Sequence, residues 1–365
     1  MIEVIERPAL MRRAFFILCS LAVTHAVSAD APRAPARDEV VETQLLPRAV
    51  KQSVQRLHGM QPVAAQLSPI ERIDAARRMI QAGRASGDPR TLGYAEAQLK
   101  GLPETGAIGV EALVLRATIE QSRHRFDAAR GLLDRALEQA PKHVQARLTR
   151  ATIAHVRGNL DAARADCEAL SQSAPAVAVI CSATSDALSG KNSEALKALE
   201  AVTDPALRGW ALSIAGEVHE QQGSLDAAVR SYTASLSLGE DLYTTVALAD
   251  ALIAQQRWAQ AEALLTPLPA TDAVLLRRWI VARRQQRDAT ALQAQLIDRF
   301  AAAQARNELL HAREAALFVL EQGDATAALK LARQNWADQR EPADLRILAF
   351  AGRAANDSTA LAEVQ

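Results

Sequence analysis

Residues 110–141 and 144–175 are two copies of one pattern, set thirty-four residues apart. Pro141 falls on Pro175, Ala129 on Ala163 and Ala117 on Ala151. Phe126 falls on Leu160, each followed by Asp-Ala-Ala, and His124 falls on Gly158. A fixed period of this length marks a chain built by stacking one small unit. A single unit cannot bury its apolar face alone, so such a chain grows by addition rather than around one central core.

Composition says what the unit is made of. Aromatics are only 4% of the 365 residues, and Ala, Leu, Gln, Arg and Glu dominate. These are good helix formers, and few residues favour strands. Lys plus Arg and Asp plus Glu number 42 each, so the formal net charge is zero. That balance argues against a nucleic-acid binder, which is usually strongly basic.

From Val110 the copies resemble the tetratricopeptide repeat, a helical hairpin with small residues at positions 8, 20 and 27. Large residues occupy its positions 17 and 24, and proline its position 32. The first clear copy carries Ala117, Ala129 and Ala136, then Phe126 and Leu133, then Pro141. The second carries Ala151, Ala163 and Leu170, then Leu160 and Cys167, then Pro175. Leu170 departs from the small-residue rule. A degenerate copy follows around Ala183, Gly190 and Ala195. Better ones hold Gly216, Gly223, Ala228 and Tyr232, then Ala249, Trp258 and Ala261. Residues 272–300 read as helical but weakly patterned. Leu310 to Arg340 gives a further copy around Ala316, Gly323 and Ala328, and a last helix spans Pro342 to Ala355.

The resemblance implies an all-α, right-handed superhelical solenoid of antiparallel helix pairs. Small residues let the two helices of a hairpin approach. Gly158, Gly190, Gly223 and Gly323 supply the left-handed residue of each turn. Proline is expected to end the second helix of a copy.

Residues 1–29 read as a secretory signal peptide whose best start is Met11. Arg12 and Arg13 precede a short apolar run, and Val27-Ser28-Ala29 offers small residues for cleavage. The arginine pair lacks the flanking residues of a twin-arginine signal, and Leu18 before Cys19 does not suit a lipoprotein. Residues 30–67 form a Pro-rich linker, with a short helix suggested by VVETQLLPRAVKQSVQRL. Residues 68–107 form an atypical N-terminal helical pair, opening at Ser68-Pro69 with a second helix from Asp88-Pro89. Residues 108–365 form the repeat domain. After signal cleavage no segment is apolar enough to span a membrane, which places the protein in a periplasm or outside the cell.

In such an oxidising compartment Cys167 and Cys181 can pair. They fall in the second helix of one copy and the first of the next. The alternative is two buried small hydrophobes.

The chain offers little catalytic chemistry. His58, His124, His143, His155, His219 and His311 are scattered, with no His-Glu-x-x-His set, Gly-x-Ser-x-Gly elbow or phosphate loop. No cofactor, metal site or catalytic residue is expected.

What remains is the concave face that the resemblance assigns to positions 2, 5, 9, 12 and 13 of each first helix. These positions include Glu111, then Thr152 and His155, then Trp210, Glu217 and Glu220, then Tyr243 and Asp250. Trp210 and Tyr243 recur at position 2 beside Glu217, Glu220 and Asp250. One reading is a strip of aromatic anchors with an acidic rim, suited to a basic or amphipathic peptide. The other is that both rings pack on neighbouring helices. The expectation is a non-enzymatic exported scaffold that binds a protein in the cell envelope. A role as accessory subunit in envelope polysaccharide assembly or export is the alternative that the resemblance leaves open.

Overall fold

The computed structural model describes residues 67–305 and 312–363. The expected signal peptide and nearly all of the linker lie outside the described residues. The described chain is eighteen helices that pair into nine antiparallel hairpins. They are α1 (Pro69–Ser86) with α2 (Arg90–Leu99), α3 (Gly106–Ser122) with α4 (Phe126–Gln139), and α5 (Val144–Val156) with α6 (Leu160–Leu170). Next come α7 (Pro175–Leu188) with α8 (Asn192–Glu200), α9 (Pro205–Gln221) with α10 (Leu225–Leu236), and α11 (Leu242–Ala254) with α12 (Trp258–Leu265). The last three are α13 (Asp272–Arg284) with α14 (Thr290–Ala305), α15 (Ala312–Gln322) with α16 (Ala325–Asp338), and α17 (Pro342–Ala354) with α18 (Ser358–Ala362).

One residue in each hairpin turn is left-handed: Gly87, His124, Gly158, Gly190, Gly223, Gln256, Gln286, Gly323 and Asn356. The turn geometry is therefore set by hairpin closure, and four hairpins impose it on a residue with a Cβ, at a cost of about 1–2 kcal/mol. This regularity extends the pattern through residues 272–300, where the sequence shows it poorly. The cause is Trp279. It occupies position 8, where the clear copies hold Ala or Gly, and is fully buried with its ring 4.8 Å from Phe318.

Elsewhere the small-residue rule has a direct steric reading. Ala117, Ala129 and Ala136 are fully buried between α3, α4 and their neighbours. A Cβ added at Gly216 would lie 2.4 Å from Cε1 of the fully buried Tyr232. The small residue on α9 and the large one on α10 fill one volume between them.

Proline behaves differently from the sequence expectation at Pro175. It is the first residue of α7, where its missing N–H costs nothing, and does not terminate α6, which already ends at Leu170. α1 is also longer than its apolar spacing suggested, running to Ser86. It is held at its start by the Ser68–Glu71 capping box and stopped by left-handed Gly87.

The first helices α1, α3, α5, α7, α9, α11, α13, α15 and α17 each touch the next in that series, forming a continuous inner layer. The second helices pack outside it. The stack also returns on itself. The turn of the first hairpin meets the sixth and seventh: a Cβ on Gly87 would lie 2.2 Å from Thr271 Cγ2 and 3.7 Å from Leu242 Cδ2. The turn of the third hairpin meets the link between the eighth and ninth, where the Arg340 N–H donates to the Val156 carbonyl at 2.7 Å. Beside it Arg157 pairs with Asp338, 181 residues away, at 2.7 Å. Successive superhelical turns thus touch along a seam about five and a half hairpins apart.

Candidate functional site

The inner layer carries a polar lining. At its N-terminal end Arg77 on α1 reaches Glu111 at 3.0 Å, and Glu111 meets the His143 ring, also at 3.0 Å. His143 in turn caps α5 by accepting from the Ala146 N–H. Three consecutive hairpins are tied by these side chains.

The fuller cluster lies between α9, α11, α15 and α17. Tyr243, at the start of α11, is 55% exposed and lies beside the half-buried Glu217 of α9. Glu217 is close enough to Glu341, in the link before α17, to feel its charge. Burial first, and then the Glu341 charge, push its carboxyl up to about 8, so it is largely protonated at neutral pH. The Tyr243 phenol is in turn raised above its ordinary range, chiefly by Glu217. One turn along α9, Glu220 accepts from the Tyr232 hydroxyl at 3.0 Å and pairs with Arg346 of α17 at 2.7 Å. Arg313 on α15 holds both Glu341 and the buried Asp344, and Asn335 donates to Asp344 at 2.7 Å. Burial raises Asp344 above the usual carboxylate range despite Arg313.

The residues singled out in the sequence therefore fare differently. Glu217 and Tyr243 come together. Glu220 and Asp250 do not form a free acidic rim: Glu220 is taken by Arg346, and Asp250 receives both Nε and Nη2 of Arg277 at 2.9 and 2.8 Å. Arg277 is nearly buried and spans from Asp250 to Glu314 of α15. Trp210 is half-buried against the cluster of Ile180, Leu199 and Val218 and is not displayed beside Tyr243. His155 is buried, its Nε2 2.7 Å from the Ser185 hydroxyl. Burial, then Arg164, push it down to about 4, so it is a neutral packing residue rather than a surface contact. The Thr152 hydroxyl returns to the Leu148 carbonyl of its own helix. Cys167 and Cys181 are joined as a disulfide between α6 and α7.

Arg313, Glu341, Asp344, Arg346 and the half-exposed Phe350 were missed in the sequence. Counting back from the left-handed turn residues places Arg313 and Arg346 at position 5 and Phe350 at position 9 of their hairpins. The signal was present: Gly323 displays the register for Arg313, whereas Asn356 conceals it for Arg346 and Phe350.

No protein-family model matches the chain, and no curated protein matches it. Solved structures do. The APC/C hetero-tetramer Cut9-Hcn1 aligns at 14% identity over 79% of this chain and 61% of that chain, with a TM-score of 0.53. The Rap protein complexed with Competence and Sporulation Factor aligns at 12% identity over 87% of this chain and 93% of that chain, with a TM-score of 0.50. A tetratricopeptide repeat protein from Parabacteroides merdae aligns at 14% identity over 78% and 98%, with a TM-score of 0.39. The chain thus spans 61% of the Cut9-Hcn1 chain it matches. At these identities the likeness is one of fold: an all-α solenoid of the tetratricopeptide-repeat kind.

Proposed function

We propose that the chain is a non-enzymatic scaffold that holds an extended segment of a protein partner inside its superhelix, in the cell envelope. The observation that carries this reading is Tyr243. It is a large aromatic side chain, 55% exposed, at an inner-layer position beside a carboxyl that is itself largely neutral. A large aromatic ring with a polar tip is the kind of anchor that dominates binding energy at protein interfaces. Phe350, 49% exposed at position 9 of the last hairpin, offers a second such surface. Two solved structures of this fold, Cut9-Hcn1 and the Rap protein with its factor, are complexes, which supports the same use here. The envelope location rests on the leader-like residues 1–29.

The partner chemistry differs from that of a bare acidic strip. Glu220 and Asp250 are already neutralised within the chain, so recognition falls to aromatic contact and hydrogen bonding around Tyr243 and Glu217. Tyr243→Ala is expected to weaken partner capture at least ~10-fold, the loss of one hot-spot anchor, with the helical circular-dichroism spectrum unchanged. Unaltered capture by a folded Tyr243→Ala protein would remove the site from this surface.

A further inference from the structure

The seam described above has the composition of a contact made to part. Where the third hairpin meets residues 338–340 it consists of a glycine turn, one backbone hydrogen bond and charged side chains. Gly158 admits the Arg340 side chain, whose Cδ would lie 3.2 Å from an added Cβ. The Arg340 N–H donates to Val156 O, and Arg157 pairs with Asp338, both groups partly exposed. Across the interior, Arg346 of the last hairpin meets Glu220 of the fifth. By contrast, neighbouring hairpins along the stack share apolar clusters, such as that of Ala228, Tyr232, Leu248 and Val274. Exposed ion pairs hold weakly and are screened by salt, whereas apolar clusters do not open without unfolding.

We infer that the contact between residues 156–158 and 338–340 is a gate: it closes the side of the superhelix in the form seen, and its parting admits the partner segment to Tyr243. This rests on the reading of the interior as the binding surface. A superhelix whose turns touch can be entered only at its ends or through a seam. The seam near the eighth and ninth hairpins is the one built from polar contacts beside the Glu217–Tyr243 cluster. Arg340 at the seam is followed directly by Glu341, which Arg313 of the inner lining holds, so the seam and the lining are joined through adjacent residues.

The test needs no partner. Tyr243→Cys is introduced, and its labelling by N-ethylmaleimide and by a 5 kDa polyethylene-glycol maleimide is followed by peptide mapping; Cys167 and Cys181 are bonded to each other and do not compete. Hydrogen exchange of the Arg340 amide is read in parallel. Arg157→Glu places like charges at the seam, and Arg157→Glu with Asp338→Arg restores opposite ones. Arg157→Glu is expected to speed both bulky labelling and Arg340 exchange about 10-fold while leaving small-reagent labelling unchanged, and the restored pair returns both to the parent values. Faster Arg340 exchange with unchanged bulky labelling would show that the seam is not the entrance. Unchanged exchange would show that the pair does not hold the seam. Failure of the restored pair to recover would assign the effect to unfolding and overturn the gate. None of these outcomes alters partner capture by the parent protein, so the gate and the binding surface fail separately.

Discussion

The second and third hairpins and the interior between the fifth and ninth hairpins are built from the same repeat but held together differently. In the former, alanines at positions 8 and 20 and the large residues packed on them make a continuous apolar contact, with Leu133 and Ala136 fully buried, and the polar pairs that join the two hairpins, Glu111–His143 and Arg150 with Asp134 and Asp166, lie at its edge. In the latter, the inner faces meet through Arg277, Arg313, Arg346 and five carboxyls, Glu217, Glu220, Glu341, Asp344 and Asp250. Apolar packing is tolerant and additive, which suits a nucleus. A desolvated polar network depends on each member, which suits a surface whose state can change. The regular copies stabilise the stack, and the irregular ones supply its chemistry.

That contrast can be broken most readily at Arg277. Its replacement by alanine leaves Asp250 and Glu314 without their shared cation and should cost about 3–5 kcal/mol, read as faster hydrogen exchange throughout α11, α13 and α15. Leu133→Ala should cost a comparable ~2–5 kcal/mol from the cavity it opens, but with faster exchange confined to α3–α5. Equal spread from both variants would erase the distinction.

Removing the disulfide by Cys167→Ser with Cys181→Ser opens a loop of 14 residues and should cost about 3 kcal/mol by loop entropy, measured by urea unfolding. Gly216→Ala drives a methyl into the Tyr232 ring and should cost ~1–3 kcal/mol, whereas Ala117→Gly in the regular copy should cost only ~1 kcal/mol.

The smallest effect sharpens the comparison through opposite pH dependences. The folded chain keeps the Glu217 proton up to about 8, against 4.5 ordinarily, so its contribution is intact at acid pH and is lost as pH rises from 4.5 through 8. His155 titrates at about 4 against 6.5, so its contribution is intact above 6.5 and is lost as pH falls toward 4. Glu217→Gln should flatten the decline of Tm between pH 5 and 8, by ~2 °C or more, and leave the acid side unchanged. His155→Gln should flatten only the acid side. An unaltered slope on the basic side in Glu217→Gln would show that Glu217 ionises normally.

Much of the fold was legible because packing physics repeats. The small positions Ala117, Ala151 and Gly216, and the glycine turns at 158, 190, 223 and 323, each report a local steric need. Legibility failed where another residue met the same need. His124, Gln256, Gln286 and Asn356 adopt the left-handed turn without glycine, and Trp279 fills a position kept small elsewhere. The site was less legible, because its pairs join residues far apart in the chain, such as Glu220 with Arg346. Position numbering placed Glu217 and Tyr243 on the inner face, but could not show that Glu220 and Asp250 are already matched by arginines. Nor could it show that Trp210 is packed and His155 enclosed.

The central claim is that partner contact occurs at the inner surface around Tyr243. A photo-crosslinking amino acid placed at Tyr243 and, separately, at the exposed Ile297 of the outer helix α14 tests this in cells. A discrete crosslinked partner from position 243, abolished by Glu217→Ala and absent from position 297, is the predicted result. The same partner captured equally from both positions, or from position 297 alone, would contradict it.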